Sequence, residues 1–269
     1  MPGNDVDVAF DKAGFDHLVQ MQERHFWYLG RHRFLLCALR DQLGKLSARQ
    51  HGLCGVDLGG GCGGWLKYLH RHDPGLFAEL ALADSSPHAL QRAETVVGDF
   101  AACHRVDLLA LGWKERWDVA FMLDVLEHIA DDRGALLQVR ESLRPGGLLF
   151  ITVPALQLFW SYNDDIDHHR RYARRDFEEL ARETDMELCR ARYFMFLLSP
   201  LLLVSRLKRP DLSRMTRQEI LALLLRSHRV PFAPLNQLLR GIFSLETPLG
   251  WRFPLPWGTS ILAVLRKPR

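Results

Sequence analysis

The chain has 269 residues, of which 48% are hydrophobic and 25% are charged, so it is long and apolar enough to bury a sizeable core. Its formal net charge is only +3, which does not indicate a nucleic-acid partner. Its five cysteines are widely spaced and form no Cys-x-x-Cys pair, which argues against a disulfide framework and against a structural zinc site.

The first fifty residues predict an N-terminal helical cap. Apolar and polar residues alternate at helical spacing over residues 12–50, and several leucines fall on one stripe. The segment Met1–Phe15 has no apolar stretch that would make it a signal peptide. Together with the scattered cysteines, this favours a cytoplasmic protein.

Strands and helices then alternate along the chain. Predicted strands cover 53–58, 117–123, 148–153, 186–194 and 260–265, and two more end at Asp84 and near Asp107. Predicted helices cover 65–72, 131–143 and 175–185, and one more is opened by Ser86-Pro87, because proline suits the first helical turn. This alternation predicts an α/β fold, a doubly wound Rossmann-like sheet of seven strands.

The apolar region before the last strand is the hardest to assign. We take residues 51–196 as the core, residues 197–258 as an insertion or lid, and residues 259–269 as the final core strand. The longest apolar stretch, 194–205, has about a dozen residues with a proline inside, whereas a membrane span needs roughly 20. The chain is therefore expected to be soluble, or at most peripheral at a membrane.

A glycine cluster follows the first core strand. Glycines let the backbone turn tightly and approach a ligand, and the next helix offers free N–H donors at its start. Two patterns fit the cluster. Gly59, Gly61 and Gly64 satisfy the dinucleotide pattern G-x-G-x-x-G, whereas Asp57, Gly59, Gly61 and Gly63 satisfy D-x-G-x-G-x-G.

The second pattern resembles motif I of the class I S-adenosylmethionine-dependent methyltransferases. Four further matches follow in the family's order: Ala83-Asp84-Ser85, Val106-Asp107-Leu108, the run from Leu123-Asp124 to Leu126-Glu127-His128, and Leu143-Arg144-Pro145-Gly146-Gly147. The resemblance implies S-adenosylmethionine as cofactor, with its methionine end held by Asp57 and the glycines. It also implies that Asp84 and Ser85 hold the ribose and that Asp107 and Leu108 hold the adenine. Leu123 and Asp124 would line the methionine side.

Two other functions stay open. A nicotinamide-dependent, NAD(P)-binding Rossmann oxidoreductase also places an acid after its second strand, but it does not explain the Pro-Gly-Gly turn or the Leu-Glu-His run. A non-catalytic S-adenosylmethionine-binding partner protein would keep the glycine loop without acceptor turnover.

Two flanking segments resemble a bacterial branch of the same superfamily. The first is His25-Phe26-Trp27-Tyr28 with Arg31, where the cap is implied to close over the cofactor and an arginine can pair with the methionine carboxylate. Packing of the aromatic residues is an equal alternative. The second runs from Trp160-Ser161 through Asp164 to His168-His169-Arg170-Arg171-Tyr172.

His168 is the first candidate for a general base that takes a proton from the acceptor. Tyr172 and Asp164 are its expected orienting partners, since residues four apart share one face if the segment is helical. His128 is the next candidate, although a role in the pocket wall is the more favoured alternative. We expect no metal, because these residues show no fixed ligand spacing.

The acceptor is expected to be a small molecule or a lipid-like molecule with an O, N or C nucleophile. The lipid-like option rests on the apolar stretches 194–207 and 220–225 with basic edges at Arg206, Lys208 and Arg209, and it includes a peripheral membrane contact. Ordinary packing of a lid explains the same stretches.

Overall fold

The computed structural model describes residues 12–44, 52–162, 164–205 and 229–269, with a few single residues and pairs between 210 and 223. Its centre is one seven-stranded sheet in the order β3-β2-β1-β4-β5-β7-β6. The strands are β1 (Leu53–Leu58), β2 (Phe77–Asp84), β3 (Ala102–Arg105), β4 (Trp117–Leu123), β5 (Leu143–Pro154), β6 (Glu187–Phe194) and β7 (Ser260–Arg266). β7 runs antiparallel to both of its neighbours, and the remaining pairs are parallel. The predicted α/β fold with seven strands is confirmed.

Helices cover both faces of this sheet. They are α1 (Lys12–Arg24), α2 (Phe26–Gly44), α3 (Gly64–His72), α4 (Pro87–Val97), α5 (Asp132–Ser142), α6 (Asp164–Asp167), α7 (Arg174–Glu183), α8 (Ser199–Ser205) and α9 (Ala233–Arg252). Side chains of α2, α3, α4 and α9 share one core with the sheet, and side chains of α5 and α7 share the other. Every residue of β4 is buried, because alternate side chains enter the two cores.

The N-terminal helix α2 is part of this packing rather than an addition to it. Phe34 stacks on Phe194 of β6 with ring centroids 5.0 Å apart. Gly30 faces the ring of Phe243 in α9 so closely that a side chain at position 30 would collide with it. Asn236 at the start of α9 accepts from the Phe26 N–H at 3.0 Å and donates to the Arg24 carbonyl at 2.8 Å. The N-terminal cap and the insertion therefore pack against each other and are joined by hydrogen bonds.

The structure differs from the sequence prediction in two places. The insertion contains a 20-residue helix, α9, that we did not predict, and α9 packs on α2 and β6. β5 begins at Leu143 rather than 148, and the expected turn over residues 144–147 lies within it. Its pairing with β4 slips there, because Trp117 faces Leu143 whereas Val119 faces Leu148. The basic residues Arg206, Lys208 and Arg209 lie outside the described residues.

None of the described helices is long and apolar enough to cross a membrane.

Candidate functional site

The glycine loop between β1 and α3 needs glycine for its shape. Gly59, Gly61 and Gly63 all have positive φ, a region that other residues rarely adopt. A Cβ on Gly59 would also collide with the side chain of Val125, which follows β4. The loop can therefore bring its backbone close to a ligand.

A cavity of about 440 Å³ opens beside this loop, at the carboxyl ends of β1, β4 and β5. Doubly wound sheets bind their ligands at this edge, at the point where the strand order reverses. Here that point lies between the parallel strands β1 and β4. Of the predicted residues, it is lined by Trp27, Arg31, Asp57, Gly59, Gly61, Leu123, Asp124, His128 and His168. Apolar walls come from the cap and from the loop and helix after β6, through Phe26, Met195 and Leu202.

Asp57 is a buried carboxylate in the wall next to the glycine loop. It is 2% exposed, and none of the described residues donates a hydrogen bond to its Oδ1. Burial raises its pKa to about 7, Arg31 opposes that shift, and Asp84 adds to it. A buried carboxylate oxygen without a hydrogen bond is costly, so the arrangement suits a ligand that brings a positive charge or N–H donors.

Arg31 and Asp124 form an ion pair across the cavity. Asp124 follows β4 with a φ of 57°, a backbone conformation that is costly for a residue other than glycine and that clusters at functional sites. The Arg31 guanidinium lies 5.0 Å from the ring centroid of Trp27 and 5.2 Å from that of Tyr28. These contacts fix the guanidinium of Arg31 in the wall of the cavity.

The residues predicted to hold ribose and adenine lie beside the cavity rather than in its lining. Asp84 ends β2, and its carboxylate accepts from the Gly61 N–H and from the Ser86 N–H, both at 2.9 Å. Ser85 and Asp107 are exposed, and Leu108 is half-buried after β3. Because β1, β2 and β3 are adjacent, these positions lie along the same edge of the sheet as the glycine loop.

His168 is held by a buried hydrogen-bond network on the other side of the cavity. Its Nδ1 lies 2.9 Å from Oδ1 of Asp164, which is 1% exposed. Asp164 also accepts from Ser161 and from two guanidinium nitrogens of Arg171, at 2.7 and 3.0 Å. Burial alone would raise the pKa of Asp164, but these donors hold it below its usual range. The carboxylate therefore stays ionised and fixes the ring.

Two more titratable side chains flank His168. The ring of His128 lies edge-on to it, with centroids 4.7 Å apart, and desolvation lowers the pKa of His128. Glu127 is 1% exposed, lines the cavity, and receives no hydrogen bond on either carboxylate oxygen from the described residues. Burial and the charges of Asp124 and Asp167 raise its pKa well above the usual value.

Glu127, His128 and His168 offer ligand atoms that all lie within 4.8 Å of one another. By ligand type, they are the described residues that could hold a metal ion. The same three groups could equally hold and move a proton. Glu127 was missed as a site residue, although it stands in the Leu-Glu-His run. Of that run, only His128 was considered for a role in catalysis.

The expected partnership of Tyr172 with His168 is wrong. α6 ends at Asp167, so the two residues do not share a helical face, and Tyr172 pairs with Ala155 in an isolated bridge. Its hydroxyl donates to Asp132 at 2.9 Å, and its ring packs on Phe177. Tyr172 is 2% exposed and does not line the cavity, so Asp164 alone of the two predicted partners orients His168.

Known proteins resemble this chain in sequence. Residues 29–190 match the model of a family described as a methyltransferase domain. A ubiquinone biosynthesis O-methyltransferase of Cereibacter sphaeroides is 38% identical over 97 residues, which cover 33% of this chain and 37% of that protein. One from Parvibaculum lavamentivorans is 35% identical over 96 residues, 34% of this chain and 37% of that protein. The chain thus spans little more than a third of the curated relatives it matches.

A solved structure shares the fold. Phosphoethanolamine N-methyltransferase 2 of Haemonchus contortus, in complex with S-adenosyl-L-methionine, superposes with a TM-score of 0.59. The superposition covers 96% of this chain and 58% of that chain, with 16% sequence identity. At that identity the likeness concerns the architecture.

Proposed function

The chain belongs to the methyltransferase domain family, and on that premise we propose that it is an S-adenosylmethionine-dependent methyltransferase. The observation that carries the proposal is the pairing of two half-sites around one cavity. One is the glycine loop with Asp57, whose Oδ1 accepts no hydrogen bond from the described residues, and the other is the Asp164–His168 pair.

The first half-site suits the cofactor. When bound, S-adenosylmethionine supplies an electrophilic methyl group on a positively charged sulfonium, so the transfer itself needs no metal. Asp57 would take the methionine ammonium, because its buried carboxylate has an open acceptor at Oδ1. Arg31 would face the methionine carboxylate, with Trp27, Leu123 and Asp124 as walls. Asp84, Ser85, Asp107 and Leu108 would hold the ribose and adenine outside the cavity.

The second half-site suits an acceptor that must lose a proton. Because ionised Asp164 accepts at Nδ1 of His168, the proton of the ring sits there and Nε2 is left as the base. His128 and Glu127 stand close enough to receive the proton next or to fix a second polar group of the acceptor. Tyr172 has no part in this step.

The proposed acceptor is a small molecule or a lipid-like molecule with a hydroxyl, amine or carbon nucleophile. Phe26, Met195 and Leu202 give one part of the cavity an apolar lining that a hydrocarbon chain would fill. The name of the Cereibacter relative supports a hydroxyl acceptor. A lipid-like acceptor would bring a peripheral contact with a membrane.

Incubation with methyl-labelled S-adenosylmethionine and fractionated bacterial extract tests the proposal. We expect label in an acceptor fraction and release of S-adenosylhomocysteine. Calorimetric titration with S-adenosylmethionine and with NADH separates the oxidoreductase alternative. Binding of S-adenosylmethionine without label transfer to any fraction would instead favour a non-catalytic binding protein.

Replacing Asp84 by alanine should weaken S-adenosylmethionine binding at least tenfold in calorimetry. The lost charge-assisted hydrogen bonds to the ribose contribute about 1.5–3 kcal/mol each. Asp84 also fixes the Gly61 N–H, so adenosine and 2′-deoxyadenosine should be compared. A ribose contact predicts that Asp84→Ala abolishes the preference for adenosine, whereas a loop contact lowers both affinities alike. The exposed Asp99, replaced by alanine, is the control, and an unchanged affinity of Asp84→Ala would refute the assignment.

A further inference from the structure

Exposed large hydrophobic side chains gather in one part of the described surface. There are twelve such residues, and only Leu109, Leu137 and Leu158 lie outside the region 197–257. The other nine form what we call the α8–α9 face: Leu197, Leu201, Val204, Phe232, Leu238, Leu245, Leu249, Phe253 and Trp257. Scattered exposed hydrophobics are normal, but a concentration of this kind marks an interaction surface.

The helix α9 is apolar on two opposite sides. Its inner side buries Leu239, Phe243 and Trp251 against α2 and the sheet. Its outer side carries Leu238, Leu245 and Leu249, which are 60%, 70% and 54% exposed. Their spacing of seven and four residues places them on one stripe. A surface helix normally presents polar side chains there, and packing among the described residues does not explain this stripe.

Hydrogen bonds and ring contacts join α8 and α9 into one surface. The carboxylate of Glu246 in α9 accepts from the N–H groups of Phe196 and Leu197 at 3.0 and 2.8 Å, just before α8. Trp257 donates from Nε1 to Ser199 at 3.1 Å, and its ring lies 4.8 Å from that of Phe196. The exposed side chains on the two helices therefore keep fixed positions relative to each other.

The exposed charges of residues 229–257 have one sign, whereas Glu219, which precedes this stretch, is an exposed acidic residue. Between residues 229 and 257 the ionisable residues are Arg229, Arg240, Arg252 and Glu246. The three arginines are exposed, whereas Glu246 is 2% exposed and engaged with the backbone before α8. Over residues 229–257 this apolar surface is therefore accompanied by exposed positive charges alone. Such a surface is complementary to an anionic lipid surface, where arginine meets headgroup phosphate and leucine and tryptophan enter the acyl boundary.

We infer that the α8–α9 face docks on a bilayer that contains anionic lipid. This inference rests on the proposed function in one respect, the lipid-like acceptor, because docking would hold the cavity at the membrane that contains it. Leu202 of α8 lines the cavity, and its neighbour Leu201 is exposed on the α8–α9 face. A lipid-like acceptor could then pass from the bilayer to His168 without crossing water.

Sedimentation with vesicles tests the inference on the full chain. Vesicles of phosphatidylcholine with phosphatidylglycerol should bind the protein at least tenfold more tightly than vesicles of phosphatidylcholine alone. The double variant Leu245→Gln/Leu249→Gln should lose at least tenfold in binding to the anionic vesicles. Arg252→Gln should weaken binding and reduce its dependence on salt. The matched control is Leu109→Gln/Leu137→Gln, which changes two exposed leucines outside the α8–α9 face and should bind as the unchanged protein does.

Three results would overturn the inference. They are an absence of vesicle binding, an equal loss in the control pair, and self-association that the double variant abolishes, which would make a second copy of this chain the occupant. The single variant Leu238→Gln guards against unfolding of the double variant, because its melting temperature should equal that of the unchanged protein. Calorimetry with S-adenosylmethionine is run on the same samples. If the protein binds vesicles but does not bind S-adenosylmethionine, the proposed function is refuted and the docking surface is still supported.

Discussion

Replacement of His168 by alanine should lower turnover by about 10²–10⁴-fold and leave S-adenosylmethionine affinity nearly unchanged, because a positioned general base contributes this much. The structure gives the reason for choosing this histidine. Asp164, buried and kept ionised by Arg171 and Ser161, accepts from Nδ1 and leaves Nε2 as the acceptor atom beside the cavity. The loss should shrink as pH rises, since an acceptor that ionises in solution needs no base.

His169 provides the matched control for this experiment. It is the adjacent histidine, it is exposed, and it does not line the cavity, so His169→Ala should turn over at the unchanged rate. Asp164→Asn should lose much of the same activity, because a carboxamide does not hold the ring in one tautomer. Full activity of His168→Ala, or a larger loss in His128→Ala, would assign the base elsewhere. Loss of activity with a chelator would instead assign Glu127, His128 and His168 to a metal ion.

The sheet was predictable from sequence because of how its strands are buried. Parallel strands covered on both faces give short continuous apolar runs, as in 117–123, and glycine or aspartate follows them at the functional edge. α9 was not predictable in this way. Its outer leucines weaken the amphipathic pattern, and Pro248 lies inside the helix, where proline normally indicates a break.

The site was predictable where a local motif fixes the backbone. The glycine loop is such a place, because glycine itself adopts the positive φ values that the loop requires. Tyr172 shows the limit of that reasoning. Its spacing from His168 suggested a helical pair, but the segment between them is not helical, and contacts with Asp132 and Phe177 turn the ring into the core. The hydrogen bond to Asp132 joins residues 40 apart in sequence, so spacing alone could not reveal it.

Replacement of Asp57 by asparagine should raise the stability of the protein without cofactor and lower its affinity for S-adenosylmethionine. The carboxyl of the unfolded chain has its ordinary pKa of 3.8, whereas burial raises the pKa of the folded group to about 7. Between these pH values the folded chain retains a proton that the unfolded chain has lost, so the free energy of unfolding falls as pH rises and is flat above about pH 7. Asp57→Asn removes this slope.

At pH 8 the variant without bound cofactor should therefore be more stable to urea by about 1–3 kcal/mol. The gain stays below the about 4 kcal/mol that the shift represents, because the carboxamide leaves buried N–H groups to satisfy. S-adenosylmethionine affinity should instead fall at least tenfold, because the ionised carboxylate that would pair with its ammonium is gone. In the unchanged protein that affinity should rise with pH up to about 7, and in Asp57→Asn it should not. A variant that is both less stable and equally tight in binding would contradict the assignment, since Asp57 would then be a structural residue with an internal partner.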